Sequence, residues 1–266
     1  MGKSISAMLE TVRSASAKVP EITIYFWIIK LLTTGMGEVA SDFLFERLNP
    51  LVSAPVSVAI FIAAMVLQFK ARRFVPWVYW LVVVMVSIFG TMAADVVRVG
   101  LGIPYVASTV FFVAALAAVL STWYAKEKTL SVHRIVTRRR EIFYWLMVLT
   151  TFALGTAAGD MTASSLHLGY LTSGLMFAAI LAIPIIAYKW FGLNEIAAFW
   201  FAYIMTRPVG ASFADWLSAA RDSGGLGYGK GEVSLVLTIL IVILVAFRGG
   251  KAPSVEESDS RSRVAS

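Results

Sequence analysis

At 266 residues the chain has the length of one or two soluble domains, but 59% hydrophobic and only 15% charged residues exclude an ordinary soluble composition and point to an integral membrane protein. The net charge of +7 is concentrated in a few segments between apolar runs, which excludes a nucleic-acid-binding surface and reads instead as a topology signal. There are no cysteines, so disulfides, thiolate metal sites and cysteine nucleophiles are excluded together.

In chain order, residues 1–20 carry Lys3, Arg13 and Lys18 among small polar residues and lack the apolar core of a signal peptide, so they read as a retained cytoplasmic lead. Eight apolar runs follow, near 22–46, 51–70, 76–99, 104–125, 142–166, 169–190, 195–220 and 231–248. Each is long enough to span, since about 20 residues at about 1.5 Å per residue cross a hydrocarbon core of about 30 Å. Paired, they make repeats over 21–73, 74–125, 142–190 and 191–248, with a basic loop at 126–141 ("HRIVTRRR") in the middle and a polar, disordered tail at 249–266. Seventeen of the 23 Lys and Arg fall in the lead, in 70–73, 126–140 and 189, or after Phe247, which places both termini in the cytoplasm. The expected fold is therefore an all-α membrane protein of eight transmembrane helices, arranged as four parallel two-helix hairpins.

The repeat is visible in the residues. "FWIIKLLTTGMGEVASD" (26–42), "YWLVVVMVSIFGTMAAD" (79–95), "YWLMVLTTFALGTAAGD" (144–160) and "FWFAYIMTRPVGASFAD" (199–215) align without a gap. The shared columns are Trp27, Trp80, Trp145 and Trp200; Gly37, Gly90, Gly155 and Gly210; and Asp42, Asp95, Asp160 and Asp215. Four of the chain's six aspartates stand in one column.

Residues four apart share a helix face. Stepping back from each aspartate gives one polar stripe per repeat: Asp42, Glu38, Thr34, Lys30; Asp95, Thr91, Ser87, Val83; Asp160, Thr156, Phe152, Val148; Asp215, Ala211, Arg207, Tyr203. Beside it each glycine is followed four later by a small residue, a pattern that lets transmembrane helices approach closely. Turned inward, these stripes gather Glu38 and the four aspartates around a shared axis, with Thr91 and Thr156 as further oxygen ligands. An alternative keeps the aspartates at the outer water interface, capping the return helices or pairing with loop residues. Lys30 and Arg207 lie deeper, as gating groups or as static ion-pair partners of Glu38 or an aspartate. The four tryptophans, near the cytoplasmic ends of their helices, read as headgroup anchors. Pro208 bends its helix and frees a carbonyl.

The fourfold pattern of aromatic-Trp, Gly and Asp in hairpins resembles a bacterial membrane family catalogued as a repeat of unknown function, over residues 20–248 or thereabouts. The resemblance implies four tandem two-helix copies in the bacterial inner membrane, and it implies no substrate. From the residues themselves, five stripe carboxylates face two cations, a balance that favours a cation carrier over an open pore. Hard oxygen ligands favour Mn²⁺ or Mg²⁺, with a small organic cation as the other option, and proton exchange at the carboxylates. The contrasting expectation is a scaffold or sensor subunit whose stripe only packs helices. With His133 and His167 far apart, no HExxH, no Gly-rich phosphate loop and no nucleophile beside a base, no enzyme and no cofactor is expected. The partners expected are the lipid bilayer, a small cation and protons.

Overall fold

The computed structural model describes residues 18–47 and 50–248. Most of the expected lead and the whole of the expected tail at 249–266 lie outside the described residues. Among those described, the chain forms eight long helices: α1 (Ile24–Arg47), α2 (Pro50–Lys70), α3 (Pro76–Asp95), α4 (Tyr105–Glu127), α5 (Arg138–Asp160), α6 (Gly169–Phe191), α7 (Glu195–Ser218) and α8 (Lys230–Arg248). Local chemistry sets their starts. Thr137 caps α5 by accepting from the Arg140 N–H, and Asn194 caps α7 by accepting from the Ile196 and Ala197 N–H groups. α3 starts on Pro76, whose missing N–H costs nothing in a first turn. At Asp95 and Asp160, α3 and α5 run on into single π-helical turns, Val96–Gly100 and Met161–Ser165.

Six of these helices are long and apolar enough to cross a membrane. The other two, α1 and α7, are diluted by the groups they turn inward: Lys30, Glu38 and Asp42 on one, Arg207 and Asp215 on the other. The surface is apolar where the interior is polar. Ile60, Phe111, Leu175 and Ile239 point outward, while Lys30, Glu38, Thr91 and Arg207 are buried. That inversion suits lipid as the surrounding solvent, and the architecture is that of a multi-pass membrane protein.

The four aspartate-bearing helices form a closed ring, α1 against α3, α3 against α5, α5 against α7 and α7 back against α1. The return helices stand outside it. Each packs chiefly on the ring helix of the following repeat rather than on its own partner: α2 on α3, α4 on α5, α6 on α7, and α8 on α1. The hairpins of the sequence are thus correct in order but splayed in space. Every repeat supplies the outer wall of the next one, and the last repeat closes the circle by covering the first.

The ring is held by one contact used four times. A Cβ added to Gly37 would collide with Ser87; at Gly90 it would meet Phe152 Cβ at 2.5 Å; at Gly155 it would collide with Arg207, and at Gly210 with Thr34. Each glycine therefore receives the side chain that stands three residues earlier in the neighbouring repeat. This is the close approach that the small-residue stripe predicts, and it provides dispersion contact where lipid offers no hydrophobic drive. Gly155→Ala should lower stability by about 1–3 kcal/mol through overpacking against Arg207. Gly159→Ala, whose new methyl would lie 3.6 Å from Ser212 Oγ, should leave it unchanged; thermal unfolding in detergent distinguishes the two.

Candidate functional site

The closed ring stacks the repeated stripes into layers. The layer one turn below the aspartates contains Glu38, Thr91, Thr156 and Ala211, all buried. Below it lie Thr34, Ser87, Phe152 and Arg207, and below those Lys30, Val83, Val148 and Tyr203, also buried throughout. The inward stripe read from the periodicity is therefore present in all four repeats.

At its centre is an ion pair. Arg207, 0% exposed, reaches up one layer into the space that the small Ala211 leaves, and its Nη2 stands 2.6 Å from Glu38 Oε2. Thr156 Oγ1 lies 2.8 Å from the same nitrogen, and Thr91 Oγ1 is beside it. Nη2 carries two hydrogens and so donates to two of these three oxygens at a time. Both threonine hydroxyls can donate in turn to Glu38 Oε2, at 3.1 Å from Thr91 and 2.9 Å from Thr156. Nη1 is spent on the Thr34 carbonyl at 2.7 Å and Nε on the Phe152 carbonyl at 3.3 Å, with the guanidinium 4.9 Å from the Phe152 ring centre. One polar group from each repeat meets in this cluster. A charge here is tolerable only because it is paired and hydrogen-bonded.

Lys30 does not share in it. The expectation that Lys30 pairs with Glu38 or an aspartate is corrected: its Nζ has no hydrogen-bond partner among the described residues and lies over two ring faces, 4.1 Å from Tyr203 and 4.3 Å from Phe152. Arg207 has taken Glu38, and Lys30, two helical turns further down, is out of reach.

Above the pair, the four aspartates are half-buried at the other end of the ring. Each feels its neighbours: Asp95 interacts electrostatically with Glu38, Asp42 and Asp160, and Asp215 with Glu38, Asp42 and Asp160. The carboxyl groups are therefore near enough to act on one another, in a partly open rim. The rim holds its own cations. Lys230 bridges Asp42 at 2.8 Å and Glu46 at 2.6 Å, tying the start of α8 to α1, and Arg98 acts on both Asp95 and Asp160. Among the described residues no three His, Asp or Glu side chains stand close enough together to hold a metal ion.

The tryptophans require a correction. Trp80, Trp145 and Trp200 are only 4–5% exposed, which no headgroup anchor can be. They interlock with the aromatic residue that precedes Trp in the previous repeat: Phe26 with Trp80 at 5.9 Å, Tyr79 with Trp145 at 5.6 Å, Tyr144 with Trp200 at 6.3 Å, and Phe199 with the half-buried Trp27 at 5.6 Å. This pinwheel shuts the end of the ring away from the aspartates. The middle loop is drawn in beneath it, with Val132 and Ile135 buried and the Trp200 indole N–H donating to the Leu130 carbonyl at 2.8 Å. Glu141, 1% exposed, accepts from Lys18 Nζ at 2.7 Å and Gln68 Nε2 at 3.2 Å on the same side. Glu141 is not marked out in the sequence because a lone carboxylate at the foot of a basic loop looks solvated; its place one helical turn ahead of Tyr144 and Trp145 was the available signal.

Four consecutive segments, 25–74, 78–129, 143–193 and 198–248, match the model of a family described as Repeat of Unknown Function (DUF347). No curated protein and no solved structure matches the chain.

The cluster makes a stability prediction. Arg207→Met or Glu38→Gln alone strands a buried partner and should cost about 3–5 kcal/mol, whereas the double variant should recover most of that loss. A double-mutant cycle by thermal or denaturant unfolding in detergent reads the coupling directly.

Proposed function

The chain belongs to the family of the Repeat of Unknown Function (DUF347), and we propose that in this protein the four repeats build a carrier for a small cation with Glu38 as its central, switchable ligand. The observation that carries the reading is the arrangement along the axis: a half-open rim of four aspartates, one deeper carboxylate, and a sealed aromatic floor. The rim brings four carboxyl groups to the mouth, where their oxygens can meet an arriving cation. Among the described residues Glu38 is the one carboxylate in the layer beneath, and Arg207 occupies it.

In this reading the described conformation is the ion-free state. The guanidinium fills the place of the cargo, hydrogen-bonded to the carboxylate and the Thr91 and Thr156 hydroxyls that would otherwise face the ion. An entering cation competes with Arg207 for Glu38, and a closed ring with four like interfaces has to rearrange for it to leave on the other side. The site then assembles only when Arg207 withdraws, with Glu38, the threonine hydroxyls and one or more rim aspartates as hard oxygen donors. Such a set suits Mn²⁺ or Mg²⁺, and a small organic cation is the other cargo class it admits.

We also assign α1 and α7 as spanning helices, making eight in all. Each is 24 residues long and is one of the four ring helices, where Glu38 meets Arg207 and Asp42 meets Lys230 rather than lipid. Lys70, Arg72, Arg73 and the basic loop lie at the Trp end, so the positive-inside rule places that end and both termini in the cytoplasm, in a bacterial inner membrane. The aspartate rim then faces outward.

A scaffold or sensor subunit is the second reading, and one observation favours it: the Arg207 donors and Glu38 Oε2 are fully engaged in the structure described. Flux separates the two. In proteoliposomes, Asp95→Asn and Asp160→Asn should reduce Mn²⁺ or Mg²⁺ flux by about tenfold or more while leaving the fold intact, as each replaces a carboxyl oxygen donor of the rim with an amide. Unchanged flux with every cation tested, or none in the wild type, supports the scaffold instead.

A further inference from the structure

Among the described residues, the buried polar atoms without a hydrogen-bond partner include Lys30 Nζ and the Tyr203 hydroxyl, both toward the floor of the ring. They belong together. The amine lies against the Tyr203 ring at 4.1 Å and the Phe152 ring at 4.3 Å, and Phe152 also carries the Arg207 guanidinium. Tyr203 in turn interacts electrostatically with Tyr144, and the Tyr144 and Tyr79 hydroxyls are hydrogen-bonded to each other at 2.5 Å. One turn further along α5, Glu141 sits buried beside Gln68 and Lys18. Exchangeable groups are thus spaced from Lys30 through the aromatic floor to the Trp end, with Tyr144 and Tyr79 already hydrogen-bonded.

The geometry points to Lys30 as a proton-exchanging site, linked electrostatically to the Glu38–Arg207 pair and connected to the Trp end through the Tyr203, Tyr144 and Tyr79 hydroxyls. On the transport reading above, on which the coupling role rests, this is where the counter-proton travels. In the conformation described, an ion larger than a proton has no way through the interlocked indoles, and the cargo leaves only once the ring rearranges. A proton needs only a succession of hydroxyls.

The amine can exist in two forms here without rearranging the helices. As an ammonium it gains two ring faces but has no anion; as a free amine it loses those rings' attraction but escapes the cost of an unpaired buried charge. What tips the balance is the state of the pair above. While Glu38 holds Arg207, the pair is neutral and the guanidinium charge weighs least against a proton on Lys30. When a cation takes Glu38, the Arg207 charge is no longer compensated, and the ammonium releases H⁺ to become the amine. One positive charge enters and one proton leaves, so the interior charge is conserved for a monovalent cation and changes by one for a divalent ion.

The groups that face Lys30 from the packed elements, at its level or within one turn, are Tyr79 on α3, Tyr144 on α5, and Tyr203 and Arg207 on α7. On the outer side, α8 brings charge at its ends only, with Lys230 and Glu232 in its first turn and Arg248 as its last residue. Along α1 the nearest carboxylate is Glu38, eight residues on. At about 1.5 Å per residue that is about 12 Å, and at an effective dielectric of about 20 one charge at that distance is worth about tenfold in proton affinity.

The test uses full-length protein with lysine labelled at ¹³Cε, and the Lys30 signal assigned with Lys30→Arg. Glu38→Gln should weaken the hold of Lys30 on its proton by about tenfold, read as a shift of one unit in its NMR titration midpoint; an unchanged midpoint overturns the inference. In proteoliposomes, Lys30→Arg, which keeps the charge and the ring contacts but cannot release a proton, should abolish accumulation of Mn²⁺ or Mg²⁺ driven by a pH gradient while passive flux continues. Normal pH-driven accumulation in that variant also overturns it. Tyr144→Phe should slow the proton-coupled flux and leave the Lys30 midpoint in place. If the wild type moves neither ion but the Glu38→Gln shift appears, the transport reading fails and the linkage of Lys30 to the pair stands.

Discussion

Everything inside the ring is arranged around one buried guanidinium. Arg207 has to be satisfied without water, and the other three repeats contribute to that: Glu38 its countercharge, Thr34 and Phe152 their carbonyls, Thr91 and Thr156 their hydroxyls. The same side chain is also the packing knob that Gly155 receives. Charge compensation and helix approach are therefore one constraint. A substitution that disturbs either should be felt by both, and the two helices too polar to read as ordinary spans are the two that hold this pair.

The symmetry of the backbone and the asymmetry of the chemistry have separate roles. The glycine sockets and the aromatic pinwheel repeat in all four copies, and they close the ring. Within that frame the layers below the aspartates are deliberately unequal in kind: a carboxylate in repeat one, hydroxyls in repeats two and three, a guanidinium in repeat four. A strictly fourfold ring of carboxylates would repel itself, and a fourfold ring of threonines would hold no ion. Divergence between the copies is what permits a neutral resting layer with a charge that can be exposed.

Much of this was legible in the sequence, because periodicity carries it. A spacing of four places Asp42, Glu38, Thr34 and Lys30 on one face whatever the tertiary context, and four aligned copies reveal that the face is shared. The glycine column specified close approach for the same reason. Partner choice was not legible. Nothing in the order of the residues says that Arg207 rises a layer where Ala211 leaves room, so that Glu38 is taken and Lys30 is left among rings. The splayed hairpins escaped as well, since hydropathy orders the spans but does not say which neighbour a lipid-facing helix covers. The tryptophans were misread because an aromatic pair at the start of a span looks the same in a headgroup belt and in a floor; only ring closure buries it.

The account depends on Glu38 leaving Arg207 when cargo arrives, and infrared difference spectroscopy observes that carboxylate directly. Adding Mn²⁺ or Mg²⁺ to the purified wild type should shift a carboxylate stretching band that is absent from the difference spectrum of Glu38→Gln, and a matched spectrum of Arg207→Lys should show the band displaced. A Glu38 band that stays fixed in the presence of every cation tested would mean that the pair is permanent, and that the ring is held together by a salt bridge that never opens.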